Sequence, residues 1–131
     1  MVLPASMRLR GHRCFDHLHR RGKRFHGTLM VLRKASSNPK LLRRDTVGIS
    51  ELGQPKSCRI AVVISGKVHK RAVVRNRLRR LLHDHLRTRF EARPEHGQCW
   101  LLISLRNGAD AGEANWLEEC DRLLEQAGLQ P

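Results

Sequence analysis

Tyrosine is absent from the chain, and two Trp and three Phe are the only aromatic residues among 131, within an apolar fraction of 40%. A core drawn from that stock has to be modest and built from Leu, Val and Ile. No apolar stretch reaches the roughly 20 residues that a bilayer-spanning helix needs, and the opening MVLPASMRLR lacks the apolar segment of a secretory signal. No CxxC pair occurs: Cys14, Cys58, Cys99 and Cys120 are widely spaced. They are expected to be reduced, mostly packing residues of a cytoplasmic protein, with disulfides as the minority alternative. Acid is scarce over most of the length. Residues 1–93 hold five Asp and Glu against 24 Lys and Arg, a net of +19, whereas residues 94–131 carry −5, leaving +14 for the whole chain. A charge of that size points to a polyanionic partner, and its separation points to one anion-binding side and one side left to solvent.

The length suits a single domain over residues 1–131. Met7–Arg21 is expected to form a short basic amphipathic helix with Phe15 and Leu18 on one face and Gly22 as its stop. Thr28–Lys34 has the branched residues of a strand. Residues 35–57 are rich in Ser, Pro, Gly and charge without periodicity, the composition of a long flexible loop. The apolar run Arg59–Ser65 reads as a strand buried on both faces and therefore central, with Ile60, Val62 and Ile64 toward the core and Arg59, Ala61, Val63 and Ser65 on the other side. A basic helix follows and ends before Pro94; Gln98–Ser104 is a further strand and RNGADAGE a loop. Ala114–Ala127 is expected to be a helix that buries Trp116, Leu117, Cys120, Leu123 and Leu124 and stops at Gly128. The order helix, strand, strand, helix, strand, helix defines an α+β fold, a small mixed sheet packed with three helices.

The stretch KVHKRAVVRNRLRRLLHDHLR, Lys67 to Arg87, carries most of the chemistry. At about 100° per residue, Val74, Leu78, Leu81, Leu82, His85 and Leu86 gather on one side and Asn76, Arg79, Arg80, His83 and Arg87 on the other, with Arg75 and Arg77 at the borders. The polar side is rich in arginine, whose planar fork pairs with phosphate and stacks on bases. Asn76 adds donor and acceptor geometry that charge alone lacks. A merely solvated helix face would mix signs through Glu–Lys pairs, but Asp84 is the only acid between Glu51 and Glu91. A membrane-surface helix would need apolar anchors free to insert, and here the apolar side is required by the core.

From Ile64 to Arg80, ISGKVHKRAVVRNRLRR resembles the bacterial ribonuclease P protein component: a strand ending in Ser and Lys, a short basic loop, then Arg-Asn-Arg and paired basic residues on a helix. Ser65, Lys67, Lys70, Arg71, Arg75, Asn76, Arg77, Arg79 and Arg80 carry the match, and the order of elements extends it over almost the whole chain. The resemblance implies an α/β sandwich with a left-handed strand–helix–strand crossover. It also implies partnership with a large catalytic RNA and with precursor tRNA, whose single-stranded 5′ leader would lie in a cleft between the first helix and the sheet. The first cleft aromatic is Phe15, but the second family aromatic falls on His19, the sheet aromatic on Arg33, and a later arginine of the basic helix on His83. Leader contacts at His19, Arg33, Val63 and Ser65 would then lean more on charge than on stacking. Phe15 also fits plain core packing, and the two roles are compatible.

The residues offer no catalytic set of their own. Cys14-x-x-His17, His17-x-His19 and His83-x-His85 come nearest to ligand spacing, yet residues two apart on a helix diverge by about 200°, and no second ligand pair appears. Six of the twelve acids lie between Asp110 and Glu125, away from the basic stretch that would hold RNA. No protein-held metal is therefore expected, and by the resemblance magnesium would be used by the RNA partner, which performs the cleavage. Two other classes compete: a generic basic module such as a ribosome-associated protein or DNA binder, and a self-sufficient protein nuclease.

Overall fold

The computed structural model describes residues 7–9, 11–36, 58–90, 99–106 and 115–129. The loop expected over 35–57 lies outside these from residue 37 onward, and the RNGADAGE segment from residue 107. Among the described residues there are seven elements: α1 His12–Arg21, β1 Lys23–His26, β2 Met30–Ser36, β3 Arg59–Val63, α2 Ala72–Phe90, β4 Cys99–Leu105 and α3 Trp116–Gln126. The α+β class holds, with three helices and one mixed sheet, but the sheet has four strands in the order β1-β2-β4-β3. β1 is the strand that sequence periodicity misses. β2 is antiparallel to both β1 and β4, and β3 runs parallel to β4, to which α2 connects it.

Each face of the sheet has its own core. On one face Met30, Leu32, Ile60, Val62, Ile64, Leu101 and Ile103 meet Leu78, Leu82, Leu86 and Phe90 of α2 and Trp116, Cys120, Leu123 and Leu124 of α3. On the other, Ala35, Ala61, Trp100 and Leu102 lie under Cys14 and Leu18 of α1, with Leu9 and a half-buried Phe15 beside them. The alternation expected along β3 is therefore correct, and its central position is not. Arg59 to Val62 are buried and Val63 is exposed, and in the sheet β3 is an edge strand while β4 is interior. Its outer edge is partly occupied by the chain start: Arg8 bridges Ile60 in parallel, and the Leu9 N–H donates to the Ile60 carbonyl at 3.1 Å. Met7–Leu9 thus lies outside α1. Gly11, at φ 97°, makes the turn that lets α1 begin only at His12.

Gly22 does end α1, but with an ordinary φ of −74°. Glycine is required there by proximity, since a Cβ would lie 2.2 Å from the Leu18 carbonyl oxygen. Gly128 ends α3 in the left-handed region at φ 77°, where the Gly128 and Leu129 N–H groups donate to Glu125 and Leu124. Within the buried stripe of α3 sits Glu119, and its carboxylate accepts from three consecutive backbone N–H groups, Thr28 at 2.8 Å, Leu29 at 2.8 Å and Met30 at 3.0 Å. This clamp fixes the β1–β2 turn to α3.

Candidate nucleic-acid interface

The face of the sheet under α1 is only partly roofed. Strand register places Ala35, Trp100 and Arg59 in one row, Arg33, Leu102 and Ala61 in the next, and Val31, Ser104 and Val63 in a third, with Arg24 and His26 of β1 extending the last two rows. Trp100 is buried and meets His17 of α1 edge-on at 5.7 Å, whereas Val63 is 37% exposed. The floor therefore opens away from the first row toward Val63. Its charged contribution comes from the neighbours Arg24 and Arg33. Burial, and then the Arg24 guanidinium, lower Arg33 from its ordinary value.

Along α2 the apolar side is as expected, with Leu78, Leu82 and Leu86 buried and Val74 and Leu81 partly so. Phe90 adds one further turn to the buried stripe. His85 is half-buried, and its Nε2 lies 2.8 Å from Asp121 of α3, which also pairs with Arg89 at 2.9 Å. These contacts fix the C-terminal half of α2. Asn76, Arg77 and Arg80 are exposed, as is Val73 at 72% beside them. Arg79 is half-buried, and its Nη1 donates to the Asn76 side-chain oxygen at 2.9 Å, so the asparagine orients the guanidinium.

The basic loop before α2 is a small built platform. Ser65 Oγ accepts from the Lys67 N–H, Val68 is buried with its N–H on the Ser65 carbonyl, and His69 Nδ1 accepts from the Arg71 N–H. One nitrogen of Arg75 donates to the His69 and Lys70 carbonyls at 2.9 and 2.8 Å. Arg75 thus ties the loop to the helix, while Lys67, Lys70 and Arg71 remain exposed.

Two groups of residues that the sequence treats separately prove contiguous. Phe15 of α1, Ala61 and Val62 of β3, Arg79 and His83 of α2, and Arg8 line one cavity of about 290 Å³. His19 is one helical turn beyond Phe15 and exposed, outside that lining, and Arg33 lies two strands away. Arg8, Arg24 and His26 are additions. A four-residue β1 with three polar side chains carries too little pattern to announce itself, and Arg8 reaches the site only through its bridge to β3.

Burial first, and then the Arg79 and Arg8 guanidinium groups, hold the His83 imidazole down at about 4, from an ordinary 6.5. It is neutral at pH 7, and among the described residues its buried Nδ1 has no hydrogen-bond partner. The unfolded chain accepts this proton first, so the stability tied to His83 is complete above about pH 6.5 and declines as pH falls toward 4. Between pH 7 and 5 the decline is expected to be about 1–2 kcal/mol. Urea unfolding at both pH values will measure it, and His83→Asn should remove that part of the slope.

Among the described residues no group of three or more His, Cys, Asp or Glu could hold a metal ion, and no helix is long and apolar enough to cross a membrane. The α3 acids closest to hand are otherwise engaged, Glu119 by backbone N–H groups and Asp121 by His85 and Arg89. These residues do not fit a divalent-cation site.

An α+β domain with an arginine helix bordering an open basic sheet face is the build of a nucleic-acid-binding protein. The family model for ribonuclease P matches residues 3–128. The chain is 82% identical over 131 residues to the ribonuclease P protein component of Synechococcus sp. (strain WH7803), covering all of both chains. It is 62% identical over 130 residues to that of Prochlorococcus marinus (strain MIT 9313), covering 98% of each. The fold is shared with the RNase P proteins of Staphylococcus aureus, at a TM-score of 0.69 and 13% identity over 95% of this chain and 98% of that one, and of Thermotoga maritima, at 0.64 and 17% over 91% and 96%. The chain belongs to the ribonuclease P protein family. Its place is in an RNA-dependent endoribonuclease of tRNA 5′ maturation, with the ribonuclease P RNA and precursor tRNA as partners.

Proposed function

We propose a division of labour between two adjoining surfaces. The exposed platform and helix, Lys67, Lys70, Arg71, Asn76, Arg77 and Arg80, grip the catalytic RNA, while Arg75 and Asn76 hold the loop and Arg79 in position. The 5′ leader of precursor tRNA passes over the open sheet face, with Phe15 offering a stacking surface, Val63 and Ser65 the floor, and His19 and Arg33 flanking contacts. Arg79 and His83 stand where the two surfaces meet. The observation that carries this reading is the single cavity in which α1, β3 and α2 place Phe15, Arg79 and His83 together.

The protein screens phosphates and orients the leader, and hydrolysis of the phosphodiester belongs to the RNA, which holds the magnesium. The compartment that fits is the cytoplasm. The test is to combine the purified chain with a bacterial ribonuclease P RNA and precursor tRNA at low magnesium. Cleavage at the leader junction should rise at least about tenfold over RNA alone, the scale of one lost charge-assisted contact. No stimulation rejects the proposal. Cleavage by the protein without RNA would favour a protein nuclease, and equal affinity for duplex DNA would favour a generic basic module.

A further inference from the structure

A second cavity, about 810 Å³, opens where β1, the end of β2 and the start of β4 meet the end of α3, and Cys99 and Lys34 lie in its wall. Behind Cys99 is Cys58, fully buried, at an Sγ–Sγ distance of 3.5 Å. The pairing follows from the parallel ladder: Arg59 stands opposite Trp100, so the preceding residues Cys58 and Cys99 face each other across adjacent strands, with both side chains on the same face. Directly opposed residues of neighbouring strands fall within the Cα separation that a disulfide spans, and about 1.5 Å of approach would close the sulfurs to bonding distance. Neither thiol takes part in the RNA-facing surface.

We propose that Cys58 and Cys99 form a dithiol that hydroperoxides oxidise to an intramolecular disulfide, with Cys99 as the attacking sulfur and Cys58 as the resolving one. The roles follow from position. Cys99 borders the cavity, which gives a small oxidant a way in, while Cys58 is fully buried and outside the cavity wall. They also agree with the electrostatics. The hydrogen bond from Cys58 and, more weakly, the Lys34 ammonium lower the Cys99 thiol from its ordinary value against the opposing effect of burial. Cys58 is pushed up by burial and by its bond to Cys99. Cys120 offers the contrast, since burial against the acids of α3 raises it to about 12.

The chemistry balances in two steps. The Cys99 thiolate attacks the peroxide; an S–O bond forms, the O–O bond breaks, and the leaving alkoxide or hydroxide departs with a proton as alcohol or water. The Cys58 sulfur then attacks the Cys99 sulfenic acid; the S–S bond forms, the S–O bond breaks, and hydroxide leaves with the Cys58 proton as water. The two thiols supply the two electrons that reduce one peroxide.

The full chain is exposed to hydrogen peroxide at neutral pH, quenched, unfolded and alkylated, and its peptides are weighed. The expected product is one species lighter by two hydrogens that joins the Cys58 and Cys99 peptides, with Cys14 and Cys120 alkylated. In Cys58→Ser the same treatment should leave a dimedone-reactive sulfenic acid on Cys99, and Cys99→Ser should slow oxidation of the remaining cysteines at least about tenfold relative to Cys99 in the parent. Circular dichroism confirms that each variant is folded. Oxidation spread evenly over the four cysteines, or a Cys99 that stays reduced while free cysteine in the same solution oxidises, overturns the proposal.

Discussion

Replacing Arg79 and Arg80 together by alanine is expected to weaken binding of the catalytic RNA about 100-fold at low salt and to lower the salt slope by about two. The two residues sit next to each other in sequence but serve different edges of the surface. Arg80 is exposed outward, and Arg79 turns into the cavity shared with Phe15 and His83. Each guanidinium in contact with phosphate contributes a charge-assisted hydrogen bond and releases about one counterion. A filter-binding or fluorescence titration at several salt concentrations measures both quantities. Asn76→Ala is the control, because it removes no charge yet releases Arg79 from its 2.9 Å hydrogen bond. It should cost several-fold in affinity with an unchanged salt slope. A loss of less than about threefold in the double variant would mean that this helix face is ordinary solvated charge.

The second large effect concerns stability. Glu119→Ala is expected to destabilise the protein by about 3 kcal/mol, a sizeable part of the 5–15 kcal/mol typical of a domain. The carboxylate is 6% exposed and gathers the N–H groups of Thr28, Leu29 and Met30, with Arg122 3.2 Å away. Alanine would leave three consecutive N–H donors without their acceptor at a part-buried turn. Glu119→Gln keeps the shape but points an amide N–H₂ at donors, so it should recover little. Chemical denaturation provides the measurement. The consequence reaches the RNA-binding face, because the turn that Glu119 holds joins β1 to β2, the strands that carry Arg24 and Arg33. Gly27→Ala approaches the same clamp from the other side, since its Cβ would stand 2.7 Å from the Glu119 carboxylate.

Where a side chain repeats with the period of its element, the sequence announces the structure. Leu78, Leu82 and Leu86 recur every four residues, and Ile60, Val62 and Ile64 every two, and both sets face the larger core as expected. The arginine side of α2 follows from the same arithmetic. What periodicity cannot supply is order in space. Nothing in the apolar run of β3 distinguishes an interior strand from an edge strand whose side chains are mostly covered. Met7 and Leu9 are apolar enough to extend α1 in a sequence, while the decisive feature is the backbone angle at Gly11. Glu119 reads as a misplaced charge in an apolar stripe until its partners, about 90 residues earlier, are brought to it. The joining of Phe15 to Arg79 and His83 belongs to the same class, since it depends on how α1 and α2 sit about one strand.

The bridge from Arg8 to Ile60 has a further consequence, for what the sheet leaves open to other chains. An exposed β margin invites another chain to add a strand, the first step toward fibrils. Here one margin is partly taken by the protein's own leading segment, and the other is the short β1, bearing Lys23 and Arg24, whose charges repel a second copy. With both margins discouraged, a very basic chain can await a nucleic acid without first sticking to itself.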